Sequence, residues 1–105
     1  MTTFDPEKFE DKYANYFTEL QTAYRNAFET MNDAYDSELI HAIDQQVLAE
    51  SEPMWEDGEF RIDLPEDPYD RLEGVIVDRE RFEAVMERYR DELRAELEST
   101  FELGE

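Results

Sequence analysis

DPEKFEDKYANYFTELQTAYRNAFETMNDAY, residues 5–35, carries half of the chain's aromatic side chains. At about 100° per residue, Phe9, Tyr13, Tyr16, Phe17, Leu20, Tyr24, Ala27, Phe28, Met31 and Tyr35 fall within an arc of roughly 120°. That spacing predicts one long amphipathic helix over about residues 6–35, with an apolar stripe the rest of the chain must cover. Its start is well signalled. Asp5 can cap the free amides, Pro6 suits the first helical position, Glu7 favours the positive end of the dipole, and Phe4 can staple onto Phe9.

No Gly or Pro interrupts the chain from Glu7 to Glu52, yet the hydrophobic phase changes. Leu39, Ile40, Ile43 and Val47 centre roughly 130° away from the first stripe if the helix runs on unbroken. A straight helix would bury two different faces, so a kink or break is expected near Asp36 and Ser37, with a second helix over about 37–50. Pro53 stops it. Beyond Pro53 the period becomes two: Phe60, Ile62 and Leu64 alternate with Glu59, Arg61 and Asp63, the pattern of a half-buried strand over about 59–64. Asp57-Gly58 signals a tight hairpin, with Met54 to Glu56 as a short partner strand. Val75-Ile76-Val77 reads as a further strand over about 74–77. Asp78 opens a last helix over about 79–101, with Phe82, Val85, Met86, Tyr89, Leu93 and Leu97 on one side and Glu–Arg pairs on the other. The expected fold is α+β: a single domain with a long kinked N-terminal helix, an antiparallel sheet of two or three strands, and a long C-terminal helix.

Charge dominates the composition. Thirty Asp and Glu face ten Lys and Arg, a formal net charge of −20. In dilute buffer such self-repulsion opposes a compact state, whereas at about 1 M salt the screening length falls to about 3 Å. Only Lys8 and Lys12 are lysines. Abundant carboxylate with scarce lysine on an ordinary globular pattern points to a cytosol of multimolar salt. The competing reading makes the acidity functional, an acidic decoy or regulator that occupies a basic, nucleic-acid-binding surface of another protein. Direct binding to nucleic acid is disfavoured by the lack of a basic patch. No run reaches the roughly 20 apolar residues of a membrane span, and the first residues lack a leader pattern, so a cytoplasmic location is expected.

Three stretches carry a resemblance: Phe4-Asp5-Pro6-Glu7-Lys8-Phe9-Glu10, Tyr35 to Gln46 (YDSELIHAIDQQ), and Pro68 to Val75 (PYDRLEGV). Together they resemble a small family of haloarchaeal proteins of unknown function, over nearly the whole chain. The resemblance implies a cytoplasm rich in potassium chloride. It implies no activity and no functional residues.

Chemistry-bearing constellations are missing from the sequence. With no cysteine and one histidine, His41, neither a zinc site nor a Cys or Ser triad can be assembled by any known spacing. The acidic loops around Asp57 and Asp67 lack the EF-hand pattern. Thirty carboxylates make chance pairs certain, and sequence singles out none as a general acid. No catalytic, metal or cofactor site is therefore expected, and the chain reads as a non-enzymatic protein acting through contacts with an unknown protein partner. A stripe of about 45 Å at 1.5 Å per residue is long for this chain to cover alone, which favours a homodimer or homo-oligomer. Phe17, Tyr24 and Phe28 on the stripe, with Trp55 and Tyr69 in flanking loops, are the candidate interaction residues, although each could simply plug the core.

Overall fold

Asp5 does cap the first helix: its carboxylate accepts the Glu7 N–H at 2.9 Å in the computed structural model, which describes residues 4–101. That helix, α1 (Pro6–Phe9), is one turn long. A second single turn, α2 (Lys12–Asn15), follows, and only then does α3 run unbroken from Phe17 to Ala34. The long helix expected over 6–35 is thus three pieces. Its breaks lie at Glu10–Asp11 and at Tyr16, whose φ of −131° and ψ of 22° leave helical geometry. Three contacts that a straight helix could not make hold the folded-back segment. The Asp5 N–H donates to the Tyr16 hydroxyl at 3.0 Å, the Asn15 amide donates to the Lys8 carbonyl at 3.0 Å, and the Lys12 ammonium reaches Glu52 at 2.8 Å. The gain is apolar. Folding back carries the rings of Phe4 and Phe9 onto Phe60 and Phe101, with centroids 5.0–6.2 Å apart.

Tyr35 is extended, and Asp36 then caps α4 (Ser37–Gln46), so the break between α3 and α4 falls where the hydrophobic phase requires it. A short 3-10 turn (Leu48–Glu50) ends this arm in place of continued α-helix. Strands β1 (Glu52–Glu56) and β2 (Glu59–Asp63) form an antiparallel hairpin. Its turn residues Asp57 and Gly58 have φ of 51° and 80°, the double positive-φ turn that matches strand twist. β1 is two residues longer than expected, and Pro53 lies inside it, opposite Ile62.

The third strand expected over 74–77 is absent among the described residues: the sheet has two strands. Val75 and Val77 are half-buried and Ile76 is fully exposed, so the alternation is real, but the backbone bonds elsewhere. The Gln46 side chain donates to the Glu73 carbonyl at 3.0 Å and accepts its N–H at 2.6 Å, doing for one residue what a neighbouring strand would do. The Val77 carbonyl is taken by the Tyr69 hydroxyl at 2.5 Å. A second 3-10 turn, Pro68–Arg71, carries that tyrosine.

Helix α5 (Arg79–Thr100) is capped by Asp78, whose carboxylate accepts the Arg81 N–H at 2.8 Å. Its stripe from Phe82 to Leu97 is buried throughout. The most extensive contact in the fold is α3 against α5, made close by Ala23 and Ala27, both fully buried. The other face of the core is closed by α4 and by Phe60 and Ile62 of β2.

Candidate functional site

The five candidate interaction residues do not form one surface. Tyr24 is tied down inside. Ser51 gives its proton to the Leu48 carbonyl at 2.7 Å, so the Tyr24 hydroxyl, 3.1 Å from the Ser51 oxygen, is the donor in that pair. Burial pushes this phenol up to about 12, the hydrogen bond with Ser51 opposing the rise and Tyr13 and Glu52 adding to it. Phe28 packs half-buried edge-on to His41, centroids 4.9 Å apart. Phe17 is 51% exposed at the start of α3. Trp55 and Tyr69 line two separate clefts.

The first cleft, 350 Å³, lies between α1–α2 and β1 and is walled by Phe9, Lys12, Glu52, Met54 and Trp55. The hairpin register places Trp55 directly across from Phe60, with ring centroids 4.9 Å apart, which holds the indole against the core while leaving it half-exposed. Lys12 was not singled out by its sequence, and it organises this cleft. Only 5% exposed, its ammonium pairs with Glu52 and lies 5.4 Å above the Phe9 ring and 5.1 Å above Tyr13. Lys12 thereby carries the apolar surface outward to Tyr13, which is 56% exposed. The only sequence sign of this was negative: a lysine beside an aromatic stripe in a chain that has just two.

The second cleft, 390 Å³, sits over Phe82 and Met86 between α5 and the Pro65–Pro68 loop. Tyr69 forms one wall, its ring 5.5 Å from Phe82 and 4.8 Å from the Arg79 guanidinium. A third groove, 330 Å³, continues from it along the outer side of β2, sharing Leu64 and Arg90. Arg61, Arg90 and Arg94 line it with Asp63, and of these Arg61 also pairs with Glu56 at 2.5 Å and Arg90 with Glu87 at 3.1 Å.

Between α3, α4 and α5 lies a small set of titratable groups. The Tyr89 hydroxyl is buried without a hydrogen-bond partner among the described residues, and its phenol is raised well above the ordinary value, by burial first and then by the charges of Asp44 and Tyr24. Burial likewise raises the Asp44 carboxyl, with His41 opposing. A carboxyl that holds its proton more tightly in the fold than in the unfolded chain favours the fold at low pH, and that contribution is lost as pH rises through its folded value. Asp44→Asn is therefore expected to raise the melting temperature at pH 7, with the advantage shrinking as pH falls through the raised folded value and gone below about 4, where unfolded Asp is also protonated. Equal melting temperatures across that range would contradict it. No group of three or more His, Asp or Glu is placed to hold a metal ion among the described residues.

A family model spans residues 1–104, all but the last residue of the chain. The chain belongs to the DUF5783 family of unknown function. No curated protein and no solved structure matches it. The DUF5783 match thus brings no ligand or reaction to set against these clefts. Among the described residues no helix is long and apolar enough to cross a membrane.

Proposed function

We propose that this protein is not an enzyme and works in a salt-rich cytoplasm through protein–protein contacts, as a homodimer or as a small subunit of a larger assembly. The observation that supports a contact role is the cleft around Trp55, where Phe9, Met54 and Trp55 give apolar surface, with the exposed Tyr13 ring beside it under the Lys12 ammonium, on an otherwise carboxylate-rich chain. Amphipathic aromatic groups half-held by the core are economical anchors, because little side-chain freedom is lost when a partner covers them. The excess of carboxylate fits multimolar salt, as the resemblance to haloarchaeal proteins implies. In that solvent a contact built on charge alone is badly screened, whereas apolar contacts persist.

The test compares wild type with Tyr13→Ala and Trp55→Ala in affinity capture from a high-salt cytosol, followed by titration of the captured protein at about 0.3 M and about 3 M potassium chloride. Binding that survives high salt and weakens roughly tenfold or more in both variants is expected. Because Trp55 also packs on Phe60, Tyr13→Ala is the variant that separates lost contact from lost fold. Binding that collapses in high salt and ignores both substitutions would instead favour the acidic-decoy reading.

A further inference from the structure

The outer edge of β2 is open. The sheet ends there, and no backbone group of residues 60–64 has a hydrogen-bond partner outside the hairpin among the described residues. Four consecutive residues, Arg61, Ile62, Asp63 and Leu64, line one groove. Alternate side chains of a strand point to opposite faces, so four in a row can share a groove only if the strand's edge forms its wall. β1 is different. Pro53 there lacks an N–H, and a proline fits a strand where its nitrogen faces away from the ladder, which removes a donor from the outer edge of β1. β2 has no proline, no bulge and no charge pointing into the core: its inward residues, Phe60 and Ile62, are both buried.

We infer that the β2 edge pairs antiparallel with β2 of a second copy of this chain, centred on Ile62. The occupant follows from charge. In an antiparallel ladder directly opposed residues share a face, so only registers that keep inward residues opposite inward ones are open. Centring on Arg61 sets Arg61 against Arg61 of the other copy and Glu59 against Asp63, two kinds of like-charge pair. Moving the centre to Ile62 sets Arg61 opposite Asp63 twice, Ile62 opposite Ile62, and Phe60 opposite Leu64. Centring on Phe60 also opposes Glu59 to Arg61, but it brings the turn into the ladder, with Asp57 against Asp63 and Gly58 against Ile62. Ile62 is therefore the centre that matches charge to charge and apolar to apolar throughout, as a two-fold interface requires. A four-stranded sheet results, capped at both outer edges by Pro53. A segment of another protein could supply a carboxylate, but it would not need Arg61 to be matched by an Asp two residues on.

This inference deepens the homodimer part of the proposed function and is independent of the Trp55 cleft. A five-residue ladder is below the size of a standard interface, so sedimentation of the full chain from roughly 5 to 500 µM is the appropriate range. Wild type is expected to be dimeric at the upper end. Arg61→Asp and Asp63→Arg, each alone, set like charges opposite each other and are expected to weaken dimerisation roughly thirtyfold. Mixing these two variants restores opposite charges at both positions, so a one-to-one heterodimer is expected at wild-type strength. Circular dichroism on each variant sets the lowest salt at which it holds the wild-type fold. A second measurement does not depend on charge. The chain has no cysteine, so Arg61→Cys mixed with Asp63→Cys is expected to form a covalent heterodimer under oxidation faster than either variant alone. Opposed Cα atoms at 4.5–5.5 Å lie within disulfide reach, whereas the diagonal neighbours that a single variant presents lie at about 7–8 Å. Wild type that is monomeric throughout, variants that dimerise like wild type, or mixtures that fail to pair would each overturn the inference while leaving the cleft around Trp55 to its own test.

Discussion

Phe60→Ala is expected to be the most damaging single truncation in this protein, costing about 3–5 kcal/mol. The ring sits where every early and late segment of the chain meets. Its centroid is 5.3 Å from Phe4, 5.5 Å from Phe9, 4.9 Å from Trp55 and 5.8 Å from Phe101, so its removal leaves a cavity bordered by four other rings, which are too stiff to collapse into it. For a chain of this length the loss corresponds to a fall of roughly 15–30 °C in melting temperature. Phe17→Ala is the control: half-exposed at the start of α3, it is expected to change stability by no more than about 0.5 kcal/mol. Thermal unfolding of both, followed by circular dichroism in the same high-salt buffer, checks the pair. Similar losses for the two would mean that the aromatic cluster does not hold the fold.

The second large effect is that of salt on folding itself. At a formal charge of −20 the chain repels itself, and the described ion pairs do little to offset this, since all but the Lys12–Glu52 pair join side chains that are at least partly exposed on both partners. Exposed pairs of this kind contribute about 0–1 kcal/mol each. Raising potassium chloride from about 0.1 M to above 1 M is therefore expected to increase helix content and melting temperature together as repulsion is screened. Full helix content at low salt with an unchanged melting temperature would contradict the reading of the acidity as salt adaptation.

Helix α5, the break before Asp36 and the Asp57-Gly58 hairpin were legible because each rests on local chemistry: a cap, a change of phase, a turn that demands positive φ. The broken start of the chain was not. Residues 5–35 keep a single helical phase, and nothing local announces that Phe4 and Phe9 do better by turning back onto Phe60 and Phe101 than by extending the stripe. That choice is tertiary, and it also decides the fate of the candidate surface. With the helix broken, Leu20, Ala23, Ala27 and Met31 are covered by α5 within one chain, and the premise of a 45 Å exposed stripe disappears. The missing strand over 74–77 has a similar cause. Its alternation is genuine, but the Gln46 amide takes both backbone groups of Glu73 just before it and the Tyr69 hydroxyl takes the Val77 carbonyl at its end, and neither partner can be inferred from residues 74–77 themselves. Trp55 stood out in the sequence as a large group in a tight place. Lys12, which joins its cleft to Tyr13, could be recognised only once Glu52 was brought beside it.

The packing of α3 on α5 fixes an order of events during synthesis. More than forty residues separate the two helices, and loop closure over that length precedes any reward from their contact. Until α5 has been made, the buried face of α3 lacks the stripe from Phe82 to Leu97 that covers it. The core therefore closes only once α5 is clear of the ribosome. Until then negative charge is what is expected to keep neighbouring nascent chains apart, so the same acidity that is expected to hinder folding in dilute buffer is expected to guard against aggregation on the polysome.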